Sequence, residues 1–222
     1  MHKVIPIRVR DKEIINYTYL VVQKETNTAL LIDPSWESEI IDKTIKEQQV
    51  WISDILITHT HNDHIASLLF FVQKYNARVW VSESEVDFYQ FQNKNLYAFK
   101  HEEKMIWGEE VVTMLITPGH TKGSACFLIG NNIFTGDTLF AEGCGTCIAK
   151  GGDALDMYNS IAYLKKRLQN DNLIYPGHSF GVFPGMSFGK VKKINMYLGF
   201  NDAVSFRNFR NRKNQSAIVT FQ

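Results

Sequence analysis

Four polar segments of the sequence carry residues that could do chemistry, and each directly follows an apolar run. "DILI" leads into "THTHNDH", "VVTMLI" into "TPGHTKGS", "NIFT" into "GDTLF", and "NLIY" into "PGHSFG". Imidazole and carboxylate groups are the ligand types that zinc, iron and manganese accept, so the pattern predicts a metal centre. The candidate ligands are His59, His61, Asp63, His64, His120, Asp137 and His178.

Short strand-like runs alternate with helical patterns along the chain and must position these residues. "YTYLVV", "ALLID" and "ARVWVS" predict strands, whereas "ESEIIDKTIKEQ", "HIASLLFFVQKY" and "ALDMYNSIAYLKKRL" have helical spacing. Strands in meander order, followed by strands alternating with helices in two halves, predict an α/β protein with sheets covered by helices. Ligand sites of such sheets gather at the carboxyl ends of the strands, so the four polar segments are expected to meet.

Composition describes an ordinary globular protein. Of the 222 residues, 45% are hydrophobic and 21% are charged, and no apolar run approaches the roughly 18 to 20 residues of a membrane span. Three cysteines do not make a disulfide framework, which favours a cytoplasmic location. The net charge of +1 gives no indication of a nucleic-acid partner.

The polar segments, taken in order, resemble the motifs of the metallo-β-lactamase superfamily. That resemblance implies an α/β (α+β) fold, specifically a four-layer αβ/βα sandwich with the metals in a cleft between two sheets. It also implies two zinc ions per chain, with iron or manganese as alternatives. By the same resemblance, one ion is held by His59, His61 and His120, and the other by Asp63, His64 and His178. Asp137 corresponds to the carboxylate that bridges both ions.

The phrase "FTGDTLFAEGCG" narrows the resemblance to the glyoxalase II branch. True β-lactamases place cysteine or serine where Asp137 stands. The arginine that usually follows GCG is absent here, and the C-terminal part that binds glutathione is short, so the chain departs from glyoxalase II itself. Over its full length, including "GCGTCIAKGGD" and "YPGHSFG", it most resembles the zinc-dependent hydrolases of bacterial polyketide gene clusters, the PksB and BaeB type.

The chemistry expected from this resemblance is hydrolysis of acyl thioesters, small or linked to a carrier protein. Two cations sharing Asp137 would share a water and lower its pKa from about 15.7 toward about 7, which provides a hydroxide nucleophile. Asp63 is expected to act both as a ligand and as the catalytic acceptor that orients the hydroxide proton. Two alternatives stay open: a persulfide dioxygenase with one iron, and a nucleic-acid-processing hydrolase, for which 222 residues leave little room.

The remaining predictions concern the division into domains, the basic C-terminal extension and the residues expected to contact substrate. Residues 1–180 are expected to form the catalytic domain, and 181–222 a basic extension, helical and packed on the same domain. From residue 180 onward there are seven cationic residues and one acidic residue, a charge of 7 − 1 = +6 that would suit a phosphate or an acidic carrier protein. The substrate-contact candidates are Lys150, Tyr175, Phe180, Arg207 and Arg210.

Cys144 and Cys147 form a C-x-x-C motif, which could be redox-active or bind zinc. The alternative is a plain loop of small residues near the cleft.

Overall fold

Two six-stranded mixed sheets form the centre of the molecule in a computed structural model that describes residues 2–212. In the first sheet the strands lie in chain order: β1 (His2–Asp11), β2 (Ile14–Gln23), β3 (Thr28–Ile32), β4 (Trp51–Leu56), β5 (Arg78–Ser82) and β6 (Leu96–Phe99). The second sheet contains β7 (Lys104–Trp107), β8 (Glu110–Ile116), β9 (Ala125–Ile129), β10 (Asn132–Gly136), β11 (Leu173–Pro176) and β12 (Met186–Ser187), in the spatial order β12 to β7.

Helices cover the outer faces of both sheets. They are α1 (Ser38–Gln48), α2 (Asn62–Ile65), α3 (Leu68–Tyr75), α4 (Glu83–Tyr89), α5 (Ala154–Arg167), α6 (Phe188–Ile194), a 3-10 turn (Met196–Gly199) and α7 (Ala203–Arg210). The helix expected over residues 64–75 is divided into α2 and α3 because the Ser67 N–H donates to the carbonyl of Pro34, which interrupts the helical ladder. Within residues 2–212, no helix combines the length and apolar character needed to cross a membrane.

Three buried clusters of side chains create the layers. Ile41 of α1 and Phe71 of α3 pack on the outer face of the first sheet. Tyr19 and Phe134 belong to the cluster between the two sheets. Met157 of α5 packs on the outer face of the second sheet. The order helix, sheet, sheet, helix confirms the predicted four-layer αβ/βα sandwich.

The C-terminal segment shares the core of the second sheet. Strand β12 pairs with β11, and Val191, Tyr197 and Phe206 lie in the same buried cluster as Leu164 of α5. The described part of the predicted extension, 181–212, therefore consists of one short strand and several helices, and it packs against the rest of the chain. A domain boundary at residue 180 stays a prediction, and residues 213–222 lie outside the described part.

One edge of the sandwich collects the ends of the strands that precede the polar segments. In the second sheet β10 is parallel to β11, and both β8 and β10 are antiparallel to β9, so β8, β10 and β11 end at the same edge. The loop after β4 of the first sheet reaches this edge too, where Ala125 N donates to Thr58 O at 2.8 Å. Tyr17 N donates to Gly177 O at 2.9 Å and also joins the two sheets. The polar segments thus converge between the sheets.

Candidate metal centre

The structure brings all seven predicted ligands together at this edge. They form three overlapping groups, and in each group the possible ligand atoms lie within 4.8 Å of one another. The groups are His59, His61 and His120; His59, His64 and Asp137; and Asp63, His64 and His178. Two residues come from the loop after β4, two from the adjoining helix α2, and three from the loops after β8, β10 and β11. Each of the two predicted triads therefore combines residues that follow strands of both sheets.

Two nitrogens of the first triad lie slightly closer together than a single ion requires. His61 Nδ1 and His120 Nε2 are 2.9 Å apart, and the ring of His59 lies edge-on to both neighbouring rings. Two nitrogens bound tetrahedrally at about 2.1 Å from one zinc are separated by roughly 3.4 Å. A small outward rotation of the rings would therefore accommodate the ion.

The second triad surrounds one carboxylate oxygen of Asp63. Asp63 Oδ2 lies 3.2 Å from His178 Nε2 and 3.5 Å from His64 Nε2. Asp137 stands between the two triads, with Oδ1 at 3.4 Å from His64 Nε2 and Oδ2 at 3.4 Å from His120 Nε2. One carboxylate is therefore in contact with histidines of both triads.

Unsatisfied polar atoms test whether a metal fits these residues. His59 Nε2, His64 Nε2 and Asp137 Oδ1 are buried, and none has a hydrogen-bond partner among residues 2–212. Burying such atoms without a partner costs on the order of 1–3 kcal/mol each, so several of them together in one cleft indicate a missing ligand. The donor set of imidazoles and carboxylates suits divalent transition metals. The residues present therefore fit a metal centre.

The ring nitrogens that face away from the cleft are held by the scaffold. His120 Nδ1 donates to Thr146 O at 2.6 Å, and His178 Nδ1 donates to Ile15 O at 2.7 Å. His64 Nδ1 donates to Asp33 Oδ2 at 2.9 Å, and Asp33 also accepts from the Thr58 hydroxyl at 2.6 Å. Such outer partners fix the tautomer and leave Nε2 of each ring for the metal.

Comparisons with known proteins agree with this geometry. A model of the metallo-β-lactamase superfamily matches residues 12–178. The chain belongs to the metallo-β-lactamase superfamily.

Relatives narrow the position of the chain within this superfamily. It is 39% identical to the probable polyketide biosynthesis zinc-dependent hydrolase BaeB of Bacillus velezensis, over 93% of this chain and 92% of the relative. It is 37% identical to PksB of Bacillus subtilis, also described as a probable polyketide biosynthesis zinc-dependent hydrolase, over 100% of this chain and 98% of that relative. A hydroxyacylglutathione hydrolase of Pelagibacter ubique is 36% identical over 74% of this chain and 67% of its own length. The predicted resemblance to PksB, BaeB and glyoxalase II is confirmed.

A solved structure supports the same superfamily fold. The crystal structure of ETHE1 from Myxococcus xanthus superposes with a TM-score of 0.82 at 28% sequence identity, covering 98% of this chain and 96% of that chain. The two chains therefore share one fold.

Electrostatics shift the candidate ligands of the metallo-β-lactamase centre in opposite directions. Burial acts to lower the pKa values of His64 and His178, but neighbouring carboxylates, chiefly Asp137, outweigh it and raise both. Burial acts to raise the pKa of Asp137, but the imidazoles of His178, His64 and His120 outweigh it and hold that pKa well below the ordinary value. Burial, reinforced by repulsion from His64, lowers the pKa of His59 well below its ordinary value. A carboxylate and a neutral imidazole are the forms that bind a cation.

Asp63 and His61 are the two partly exposed candidate ligands of this superfamily centre, and Asp63 is the exposed carboxylate. Its side chain is 26% exposed, compared with 8% for Asp137 and none for His64. Burial acts to raise the pKa of Asp63. The hydrogen bond with His178 and the charge of His64 outweigh burial, so the net shift of this pKa is downward. Asp63 therefore lies as a carboxylate on the open side of the cluster.

The predicted substrate contacts are distributed unevenly around the centre. Phe180 is 36% exposed, and its ring lies 5.5 Å from Phe140, which in turn packs edge-on against His178. Tyr175 lies instead in the core between the sheets, stacked on Phe134 at 5.2 Å. Only Phe180 of these two aromatic candidates is exposed beside the candidate ligands.

The predicted cationic contacts also separate into two kinds. Lys150 and Arg207 are exposed, and Lys150 Nζ lies 5.6 Å from the ring centroid of Phe88. Arg210 is buried, and its Nη1 donates to the hydroxyl of Tyr197 at 2.7 Å. The guanidinium of Arg210 thus lies inside the core of the C-terminal segment, where its role is to hold α7 against that core.

The C-x-x-C pair lies beside the same arginine. Both thiols are buried, and neither belongs to the candidate metal groups found within residues 2–212. Burial raises the pKa of Cys147 to about 11 despite the opposing charge of Arg210. A protonated, buried thiol is a poor nucleophile and metal ligand. The structure therefore favours the plain packing interpretation of Cys144 and Cys147.

Two residues that support the site were missed in the sequence. Asp33 directly follows β3, so the strand-end signal that marks the candidate ligands is also present one strand earlier in the sequence. Asn16 donates through Nδ2 to Asp63 O at 2.7 Å, and no signal in the sequence marks that contact. Both residues act on candidate ligands from outside the triads.

Proposed function

We propose that this chain hydrolyses acyl thioesters at a centre that holds two metal ions, preferentially zinc. The observation that carries the proposal is the position of Asp137, in contact with histidines of both triads and surrounded by buried polar atoms that lack partners. The names of the two BaeB- and PksB-type relatives, both zinc-dependent hydrolases, support hydrolysis over other chemistry. The hydroxyacylglutathione hydrolase relative supports a thioester as the bond that is cleaved.

His59, His61 and His120 would hold one ion, Asp63, His64 and His178 the other, and Asp137 would bridge them. When bound, the two cations supply Lewis acidity and lower the pKa of coordinated water, so that a nucleophile is available at neutral pH. The protein's own contribution is to fix the ligands. Scaffold groups already hold four of the five rings through the nitrogen that faces away from the cleft.

Asp63 has a further role in this proposal, as the hydrogen-bond acceptor that orients the attacking water. Its carboxylate is on the open side of the cluster, and its pKa lies below the ordinary value, so that it is an acceptor at neutral pH. Asn16 Nδ2 lies 3.3 Å from Asp63 Oδ2 and limits the rotation of the carboxylate. Asp63 therefore can accept a hydrogen bond from a molecule that enters from the cleft.

The chemistry of the leaving group favours thioesters. A thiol has a pKa of about 8.5, so it can leave as a thiolate without a dedicated general acid, whereas an amine leaving group must be protonated. An acyl chain or pantetheine arm would lie against the exposed ring of Phe180, beside Phe140 and His178. The proposed substrate is therefore an acyl group on a small thiol or on a phosphopantetheine arm of a carrier protein, with exposed Lys150 and Arg207 as candidate contacts.

A substrate panel tests the reaction class. We expect acyl-pantetheine, acyl-CoA and lactoylglutathione thioesters to be hydrolysed with kcat/KM at least about 10³-fold above that of a β-lactam, since removal of a required protonation costs about 10²–10⁴-fold. Asp63→Ala should lower kcat on every thioester. Turnover of β-lactams equal to that of thioesters would disprove the assignment, and a preparation with one iron that consumes oxygen with a persulfide would support the dioxygenase alternative.

A charge reversal tests the carrier-linked substrate. Arg207→Glu should raise KM for a carrier-linked acyl substrate by about threefold to fivefold, because an exposed ion pair contributes at most about 1 kcal/mol. The effect should weaken with added salt, while kcat and the KM of a small neutral thioester stay unchanged. Lys24→Glu, at another exposed cation in the turn between β2 and β3, is the matched control and should change neither KM. Equal KM values for Arg207→Glu and wild type would remove α7 from the binding surface.

A further inference from the structure

A buried carboxylate outside the candidate ligand set lies between the two loops that form the first triad. Glu85 is in the first turn of α4 and is fully buried. Burial of a carboxylate is costly unless several hydrogen bonds satisfy its oxygens, so its partners reveal what it holds in place.

Both oxygens of Glu85 accept two hydrogen bonds each. Oε1 accepts from Thr60 N at 2.8 Å and from Thr60 Oγ1 at 2.9 Å. Oε2 accepts from Thr121 Oγ1 at 2.8 Å and from Gly123 N at 2.9 Å. Four donors, two of them backbone amides, match the acceptor capacity of an ionised carboxylate.

These donors are immediate neighbours of the first triad. Thr60 lies between His59 and His61, in the loop that follows β4 of the first sheet. Thr121 directly follows His120, in the loop that follows β8 of the second sheet. One carboxylate thus joins two loops that belong to different sheets and that together supply all three histidines.

The close approach of α4 to the second loop depends on glycine. A Cβ on Gly123 would lie 2.1 Å from Glu85 N and 2.5 Å from Ser82 Oγ, which no other residue could tolerate without a shift of backbone. Ser82 Oγ donates to Gly123 O at 2.5 Å and accepts from Glu85 N at 3.1 Å. The start of α4 is therefore fitted to this loop at several points.

We propose that Glu85 is a positioning residue that sets the separation of His59 and His61 from His120, and with it the affinity of the first metal site. The inference rests on the proposed metal centre. The inference adds Glu85 to that centre as a residue outside the candidate ligand groups, one that acts through the backbone of Thr60 and the loop at Thr121.

The Glu85→Gln variant tests this role because it keeps the size and shape of the side chain. A glutamine amide offers only one acceptor oxygen, so its NH2 group would face either Thr60 N or Gly123 N, both of which are fixed donors. We expect the dissociation constant of the first zinc ion, measured by competition with a chelator, to rise by about 10- to 100-fold, the usual effect of losing an outer partner. The visible spectrum of the cobalt-substituted protein should change as well.

Asp54→Asn is the matched control, because Asp54 is another carboxylate buried to 1% exposure. Its donors are Arg78 Nε at 2.7 Å and Trp80 Nε1 at 2.8 Å, both on β5, and neither belongs to the loops that carry the candidate ligands. We expect Asp54→Asn to lower the Tm of the metal-free protein but to keep zinc affinity within about twofold of wild type.

A milder variant covers the case in which Glu85→Gln does not fold. Thr60→Val removes one of the four donors and keeps the shape of the side chain, so it should weaken the first zinc site by a smaller factor. Unchanged zinc affinity and cobalt spectrum in Glu85→Gln, or in Thr60→Val where the former is unfolded, would overturn the proposal. Because zinc affinity is measured without turnover, a wild-type protein that binds two ions but hydrolyses no thioester would overturn the proposed reaction alone.

Discussion

Asp137→Ala should leave a folded protein that binds both metal ions more weakly and has lost nearly all hydrolase activity. Its carboxylate lies 3.4 Å from His64 Nε2 and 3.4 Å from His120 Nε2, so a single substitution removes an oxygen ligand from both proposed sites. The imidazoles around it would also lose their shared counter-charge. We expect kcat/KM on a thioester to fall by at least about 10³-fold, comparable to the loss of a major electrostatic group at an active site.

Elemental analysis distinguishes the bridging role from an ordinary ligand role. Wild-type protein should contain two ions per chain, and Asp137→Ala should contain fewer than one after gel filtration. Asp63→Ala is the matched comparison, since the candidate ligands that pair with the Asp63 carboxylate, His64 and His178, both belong to the second triad. It should keep the first ion. Two tightly held ions in Asp137→Ala would show that the carboxylate does not bridge them.

The sequence allowed the candidate ligands to be predicted because each of them belongs to a polar segment that follows a strand. Position after an apolar run is local information, and the parallel arrangement of β8, β10 and β11 then brings their ends to one edge. The chemical type of the side chains, imidazole and carboxylate, is also visible without a structure. These two facts predict a cluster of seven residues, and the same seven side chains lie together in the structure.

Residues that act on the ligands from a distance could not be found in this way. Glu85 is one of several acidic residues in "ESEVDFY", and only the docking of α4 on the loop at Gly123 distinguishes it. Arg210 is one of several cations near the C-terminus, yet packing against Tyr197 buries it while Arg207 stays exposed. Charge and periodicity do not report which member of such a group turns inward, since that depends on tertiary contacts.

The division of the helix at 64–75 has the same origin. Its apolar spacing is helical throughout, but Ser67 N donates to Pro34 O, a residue from the loop after β3. This contact holds α2 as a separate turn, so that His64 faces Asp33 on that loop while Asp63 faces the cleft. The break in the helix therefore serves the orientation of two candidate ligands, and no pattern within residues 64–75 encodes it.

Gly177→Ala should abolish metal binding by steric obstruction alone, without the loss of any ligand. Gly177 lies between β11 and His178, and a Cβ there would be 2.5 Å from His64 Cε1 and 2.6 Å from Asp137 Oδ1. Contacts of this length require both side chains to move, and both belong to the proposed centre. We expect zinc affinity to fall by at least about 100-fold, the upper end of what a disturbed ligand environment usually costs.

Gly199→Ala is the matched control for this substitution, because a Cβ at Gly199 meets nothing within 4 Å. It should bind two zinc ions and hydrolyse thioesters as wild type does. The Tm of the metal-free proteins separates obstruction from unfolding: Gly177→Ala should retain a cooperative transition while its zinc-induced rise in Tm disappears. If Gly177→Ala kept that rise, His64 and Asp137 would not hold the metal at the position that their present geometry implies. Comparing Gly177→Ala with Gly199→Ala therefore tests the position of the ion by blocking the space that it needs, while every candidate ligand is kept.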